Sequence, residues 1–227
     1  MSTDAANYPV SRWYLRPAAG RLAAWLTATR IRPVHLTACG LLSAAAAAVV
    51  LIGRPEMMPL AAVLVLGWWF FDRADGQLAR RQNTVSAWGA WLDGNVDELA
   101  DVGLHVAVGS VLAVQTAASW PWWLLVAFLG GKYLFVHGLT TEEHANGEEE
   151  PVLCEPHPRP LFLSGKAAGW LRRLYHLPGN ADVRAHLLVL ALATGYLAAE
   201  LALVAIYYNV RWLVRYVLVA RRLGGTR

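Results

Sequence analysis

Four aspartates in two pairs carry the chemistry of which this sequence is capable. Asp72 and Asp75 are three residues apart, and Asp93 and Asp97 are four apart. On helices, either spacing sets both carboxylates on one face. A short turn near 82–85 would fold the stretch into two antiparallel helices and bring all four together. Carboxylates held that close repel one another unless cations lie between them, and an all-oxygen donor set suits a hard divalent ion, Mg²⁺ or Mn²⁺. Gly76 and Ala79 lie on or beside the acidic face. With almost no side chain, they leave room for a polyphosphate to approach the backbone. Arg80 offers a planar fork that fits phosphate.

Positioning these groups falls to apolar helices. The run AAVLVLGWWFF at 61–71 leads straight into the acidic stretch. Of the 227 residues, 56% are hydrophobic and 16% charged, against roughly 25% charged in soluble domains. Mean hydropathy is +0.36. Apolar runs near the roughly 20 residues needed to cross a bilayer recur along the chain. Several of the eleven tryptophans sit at run ends, where they anchor at the interface. These features predict one all-α integral membrane domain over 1–227. Its spans fall near 33–53, 58–80, 86–115, 120–139, 182–198 and 200–218. The boundary between the last two is marked only by Gly195 and the Glu200 region, so one long kinked helix, giving five spans, is the alternative. Residues 8–30 interleave Trp13, Tyr14, Leu22 and Trp25 with Arg12, Arg16 and Arg21, the pattern of an amphipathic helix lying in the interface. A soluble surface helix is its plain alternative. Residues 1–32 form a cytoplasmic or interfacial segment and 140–181 a long polar loop. Within that loop, 160–177 reads as a surface helix carrying Lys166, Arg172 and Arg173. The opening residues lack the apolar core of a cleavable signal. Cys39 and Cys154 suggest neither a disulfide framework nor a zinc site.

The charge distribution sets the topology independently. Arginines cluster before the first span and after the last, and the basic residues of 80–81 and 166–184 lie between spans. The alternate connections hold Arg54 and nothing basic between 115 and 123. The positive-inside rule therefore places both termini and the acidic stretch in the cytoplasm. A net charge of +4 is modest, and basic residues beside apolar runs favour anionic lipid headgroups over nucleic acid as their contact.

The stretch 72–97 resembles the signature of the CDP-alcohol phosphotransferase family at every fixed position: Asp72, Asp75, Gly76, Ala79, Arg80, Gly89, Asp93 and Asp97. The resemblance implies six transmembrane helices, an inner-membrane location, a cytoplasmic site and a homodimer. It also implies transfer of a substituted phosphate, such as phosphatidyl from CDP-diacylglycerol, to a small polar alcohol with release of CMP. By the same resemblance, Asp72, Asp75 and Asp93 hold two Mg²⁺ or Mn²⁺ ions, and Asp97 is the general base that also touches the second ion. Gly76, Ala79, Arg80 and Ser86 line the CDP-alcohol pocket. Where the family carries Pro-Asn followed by Thr, this chain has Pro33, Val34, His35, Leu36 and Thr37. Thr37, with His35, is then the candidate nucleotide contact, or else a cap and an interfacial histidine.

Beyond the motif, Lys132, His137 and Arg184 are candidates for gripping an acceptor, and several cations there would suit a phosphorylated one such as glycerol phosphate or inositol phosphate. Lys132 either faces the polar site or snorkels. Asp101, one turn past Asp97, either orients such cations or pairs helices. Arg211 and Arg215 must snorkel or face the polar site. Three other readings compete. A prenyltransferase needs two separated acidic motifs, and a cation transporter needs acids near the midplane of several spans. A non-catalytic scaffold differs from the enzyme only in releasing no CMP.

Overall fold

The computed structural model describes residues 8–145 and 179–224, all of them in helices and the turns between. The predicted surface helix at 160–177, with Lys166, Arg172 and Arg173, lies outside the described residues, as does Cys154. After a short 3₁₀ turn at Ser11–Trp13 come α1 (Leu15–Leu26), α2 (Pro33–Gly53), α3 (Met58–Gln82), α4 (Ala87–Thr116), α5 (Trp120–Ala145), α6 (Ala181–Thr194) and α7 (Leu197–Gly224). Among the described residues, five segments are long and apolar enough to cross a membrane: 33–53, 55–82, 87–116, 120–142 and 197–222.

That count is one short of the expected six. The segment expected at 182–198 is the 14-residue α6, about 21 Å long against a hydrocarbon core of about 30 Å. It is not the first half of a kinked helix either. Gly195, at φ 81°, ends it in the left-handed region, where a side chain would be strained, and α7 starts afresh at Leu197. At the other end, Asn180 caps α6 by accepting the Asp182 N–H at 2.9 Å. α5 also runs past its expected end at 139, through Ala145. Glu142 is held there by Arg215 and Arg222 of α7, so the first residues of the predicted loop are helical.

Small residues let the helices approach closely, as packing in a membrane requires. Gly40, Ala44 and Ala47 of α2 are buried at helical spacing, and Ser43 Oγ donates to Leu64 O of α3 at 2.7 Å. On α5, a Cβ at Gly131 would come within 2.7 Å of Asn209 Nδ2, and that amide donates to Ala127 O at 2.7 Å. α1 buries Leu15, Ala19, Ala23 and Leu26, and all but Leu15 join Leu36, Ala74 and Leu78 in one cluster. Its apolar stripe is therefore spent on protein, while Trp25, and Trp13 in the preceding turn, stay 74% exposed.

Asp182 fastens this corner of the fold. It is 1% exposed and accepts from Val10 N at 2.8 Å, Ser11 N at 2.9 Å and Trp69 Nε1 at 2.8 Å. One carboxylate thus ties the N-terminal segment, α3 and α6 together. Asp182→Ala strips the acceptor from all three donors, and its expected cost is roughly 2–5 kcal/mol. Asp182→Asn, which keeps one acceptor oxygen, should lose less. Thermal unfolding in detergent measures both, and an unchanged midpoint for the alanine variant would contradict the role.

Candidate active site

The turn that folds the acidic stretch is built by local chemistry. Asn83 ends α3 in the left-handed region at φ 55°, a conformation asparagine tolerates. The Thr84 N–H returns to Ala79 O at 3.0 Å. Ser86 then caps α4, its Oγ accepting the Gly89 N–H at 3.1 Å. Three residues thus reverse the chain and set α3 antiparallel to α4.

Across this hairpin, one oxygen from each of Asp72, Asp75 and Asp93 lies within 4.8 Å of the others. Asp72 and Asp75 are 9% and 4% exposed. Asp97 lines the same cleft, with Thr37, Gly40, Trp68 and Val96 in its walls, without joining the three-oxygen group. Thr37 Oγ1 donates to Asp75 Oδ2 at 2.6 Å, which orients that carboxylate. His35 serves the start of α2 instead, its Nδ1 accepting the Arg32 N–H at 3.0 Å. Asp72 pairs with Arg73, whose guanidinium lies 4.0 Å from the Trp69 ring centroid and 4.6 Å from that of Tyr8.

The other motif positions fall around this cleft. Gly76 and Ala79 are half-buried, and Arg80 is exposed. A Cβ at Gly76 would stand 3.4 Å from Arg80 Nη1, so the arginine rests across the glycine. Arg80 also lines a basic depression with Arg16, Gln77 and Arg81. Ser86, expected in the nucleotide pocket, holds the helix start.

One turn further along α4 lies a second cluster. Lys132 Nζ donates to Asp101 Oδ2 at 2.5 Å and to Glu98 Oε2 at 2.7 Å. Arg184 Nη2 reaches Asp101 Oδ2 at 3.3 Å, and its Nη1 donates to Tyr208 OH at 2.5 Å. Asp101 therefore fills both of its expected parts: it orients the two cations, and in doing so it joins α4 to α5 and α6. Lys132 does not snorkel. It is 6% exposed and faces these acids. His137, by contrast, is exposed on the opposite side of α5 and stacks on Tyr133 at 5.8 Å. The structure brings Lys132 and Arg184 together and leaves His137 apart.

Some partners had no local signature. His105 Nε2 lies 3.3 Å from Glu200 Oε1, 95 positions away. Arg215 meets Glu142, and Arg211 sits 4.0 Å over the Phe135 ring. Arg73 was legible as a neighbour of Asp72, and His105 stands four residues after Asp101.

The sequence model described as CDP-alcohol phosphatidyltransferase matches residues 30–151, which hold the whole hairpin and more than half of the chain. The chain belongs to the CDP-alcohol phosphatidyltransferase family. A relative from Aquifex aeolicus (strain VF5), the bifunctional IPC transferase and DIPP synthase, is 26% identical over 156 residues. That match covers 68% of this chain and 31% of the relative, so the chain spans about a third of that protein. The family is divalent-metal dependent in general, and three converging carboxylates with no nitrogen or sulfur ligand among them fit a hard divalent ion.

The second cluster generates a stability test. Asp101→Leu leaves Lys132 and Arg184 buried beside a lost counter-charge, and its expected cost is roughly 3–5 kcal/mol. Lys132→Met should cost less, because Glu98 is 56% exposed and hydrated and Arg184 still pairs with Asp101. Adding Lys132→Met to Asp101→Leu should recover part of the loss. Strictly additive losses in thermal unfolding would show that the two residues are not coupled.

Proposed function

We propose that the chain transfers a phosphatidyl group from a CDP-alcohol lipid such as CDP-diacylglycerol to the hydroxyl of a small polar acceptor, releasing CMP, in phospholipid synthesis. The observation that carries this reading is the convergence of Asp72, Asp75 and Asp93 at the mouth of one cleft, with Asp97 in its wall.

In this reading Asp72, Asp75 and Asp93 hold two ions, Mg²⁺ or Mn²⁺. When bound, these supply charge neutralisation at the diphosphate. The remaining tasks belong to the protein. Gly76 and Ala79 leave the backbone open beside the nucleotide, Arg80 reaches a phosphate, and Ser86 fixes the turn over which the nucleotide lies. Thr37 keeps Asp75 turned into the cleft. Asp97 takes the proton from the acceptor hydroxyl as its oxygen attacks the phosphorus that bears the lipid alcohol. The bond from that phosphorus to the oxygen bridging it to CMP breaks, and CMP leaves with the electron pair.

Lys132 and Arg184 are the acceptor-side cations of the proposal, and a phosphorylated polyol is the acceptor class that suits them. Both already engage Asp101, so an incoming phosphate would share them with that carboxylate. His137 has no part in this arrangement. The distribution of arginines supports cytoplasmic termini and a cytoplasmic site in the inner membrane. α1 lying at the interface accords with its exposed Trp25 and with the exposed Trp13 of the turn before it, and a homodimer follows from the family resemblance alone.

CMP release from CDP-diacylglycerol across a panel of polar alcohols tests the reading, and it separates an enzyme from a scaffold or a cation transporter. Excess chelator is expected to abolish release, and full activity in chelator would overturn the metal role. Asp97→Asn is expected to bind CDP-diacylglycerol with metal yet lose turnover by about a hundredfold or more. Asp72→Asn and Asp93→Asn should instead lose metal-dependent nucleotide binding. Single-turnover rates and titrations distinguish the two classes, and near-normal turnover by the Asp97 variant would remove it as the base.

A further inference from the structure

Trp68 and Trp69 are adjacent, buried and chemically identical, yet their indole N–H groups differ. Trp69 Nε1 donates to Asp182 at 2.8 Å. Trp68 is 5% exposed, and its Nε1 has no acceptor among the described residues. A buried donor left unpaired costs about 1–3 kcal/mol, and buried indoles usually find a partner.

Its place suggests why. Trp68 precedes Asp72 by four residues, so positions 68, 72 and 75 share one face of α3, and Trp68 lines the cleft that holds Asp72, Asp75, Asp93 and Asp97. The ring edge that carries the N–H lies along α2. A Cβ at Gly40 would stand 3.5 Å from Trp68 Cδ1, the atom bonded to Nε1. Four residues of helix place Trp68 about 6 Å from Asp72, away from the α3–α4 turn and towards the interior of the apolar bundle.

We propose that the Trp68 indole N–H donates a hydrogen bond to an oxygen on the alcohol moiety of the CDP-alcohol, the part transferred with its phosphate. This rests on the phosphotransfer reading. A donor substrate with its diphosphate at the aspartates sends cytidine towards the turn, beside Gly76 and Ala79, and its alcohol the other way, past Trp68. An indole N–H can only donate, so it selects an acceptor such as an ester carbonyl or ether oxygen. The ring beside it offers an apolar wall to the start of the hydrocarbon. Trp68 is thus a binding residue for the transferred group and does not touch CMP.

The test compares wild type with Trp68→Phe in nanodiscs with Mg²⁺, titrating CDP and CDP-diacylglycerol separately. CDP affinity is expected to stay within about twofold, while Kd and KM for CDP-diacylglycerol rise by about tenfold, the equivalent of one hydrogen bond. In wild type, the Trp68 indole resonance, assigned by its loss in Trp68→Phe or independently in Trp68→Tyr, should move downfield with CDP-diacylglycerol and stay near its free position with CDP. This second measurement decides if the variant does not fold. Equal CDP-diacylglycerol affinity with an unmoved resonance would give the N–H to an ordered water and overturn the proposal. A parallel loss of CDP binding would make Trp68 a packing residue and overturn it too. If wild type shows no metal-dependent CDP binding, the phosphotransfer reading itself falls, and this assignment with it.

Discussion

Like-charge convergence is the constraint on which the rest of the structure depends. Three carboxylate oxygens within 4.8 Å, at the end of apolar helices, repel strongly in a medium less polarisable than water. They stay together only because the elements that carry them cannot separate. Asn83 and Ser86 close the hairpin, α2 packs on α3 where Gly40 meets Trp68 and Phe71, and the Thr37 hydroxyl fixes Asp75, the more buried acid of the α3 pair. The Arg73 guanidinium, flat against Trp69 and Tyr8, offsets part of the negative charge from outside the cleft. Divalent ions would then bind to a preformed arrangement and would not have to assemble it.

The second cluster follows the opposite rule. Glu98, Asp101, Lys132 and Arg184 bring two negative and two positive charges together, and His105 and Glu200 extend the network towards α7. Buried charges in apolar surroundings survive when they are paired and hydrogen-bonded. In a bilayer the hydrophobic effect gives helices little reason to choose one another. Paired charges, the Asn209 amide and close-packed glycines therefore specify how α5, α6 and α7 dock on α4 and on one another. The two clusters, one turn apart on α4, are opposite in kind: one concentrates negative charge, and the other pairs its acids with buried cations.

Local sequence determined a good deal here. The spacing of Asp72, Asp75, Asp93 and Asp97, with a polar turn between apolar runs, made the antiparallel hairpin legible. Pro33 and Gly53 mark the ends of α2 where expected, because proline suits a helix start and glycine its end. Oxygen-only ligands pointed to a hard cation whatever the fold, since donor chemistry is a property of residue type. Lys132 was recognisable as a costly group inside an apolar run, and Asp101 as a carboxylate that could orient such cations or pair helices.

Tertiary structure decided the rest, wherever the energy of a group depends on a partner distant in the chain. Asp182 stands at the start of an expected span and proved to be a buried acceptor for three donors, two of them over 170 positions away. α1 looked like a helix with its apolar face in lipid, and that face packs on α2 and α3, because hydropathy cannot tell lipid from protein as the apolar phase. The pattern at 182–218 fitted two spans or one kinked helix, and Gly195 produced a short helix followed by a long one. Trp68 and Trp69 are indistinguishable in the sequence. Only the packed structure gives one an acceptor and leaves the other without one in the wall of the acidic cleft, because hydrogen bonding is settled by where acceptors lie in space.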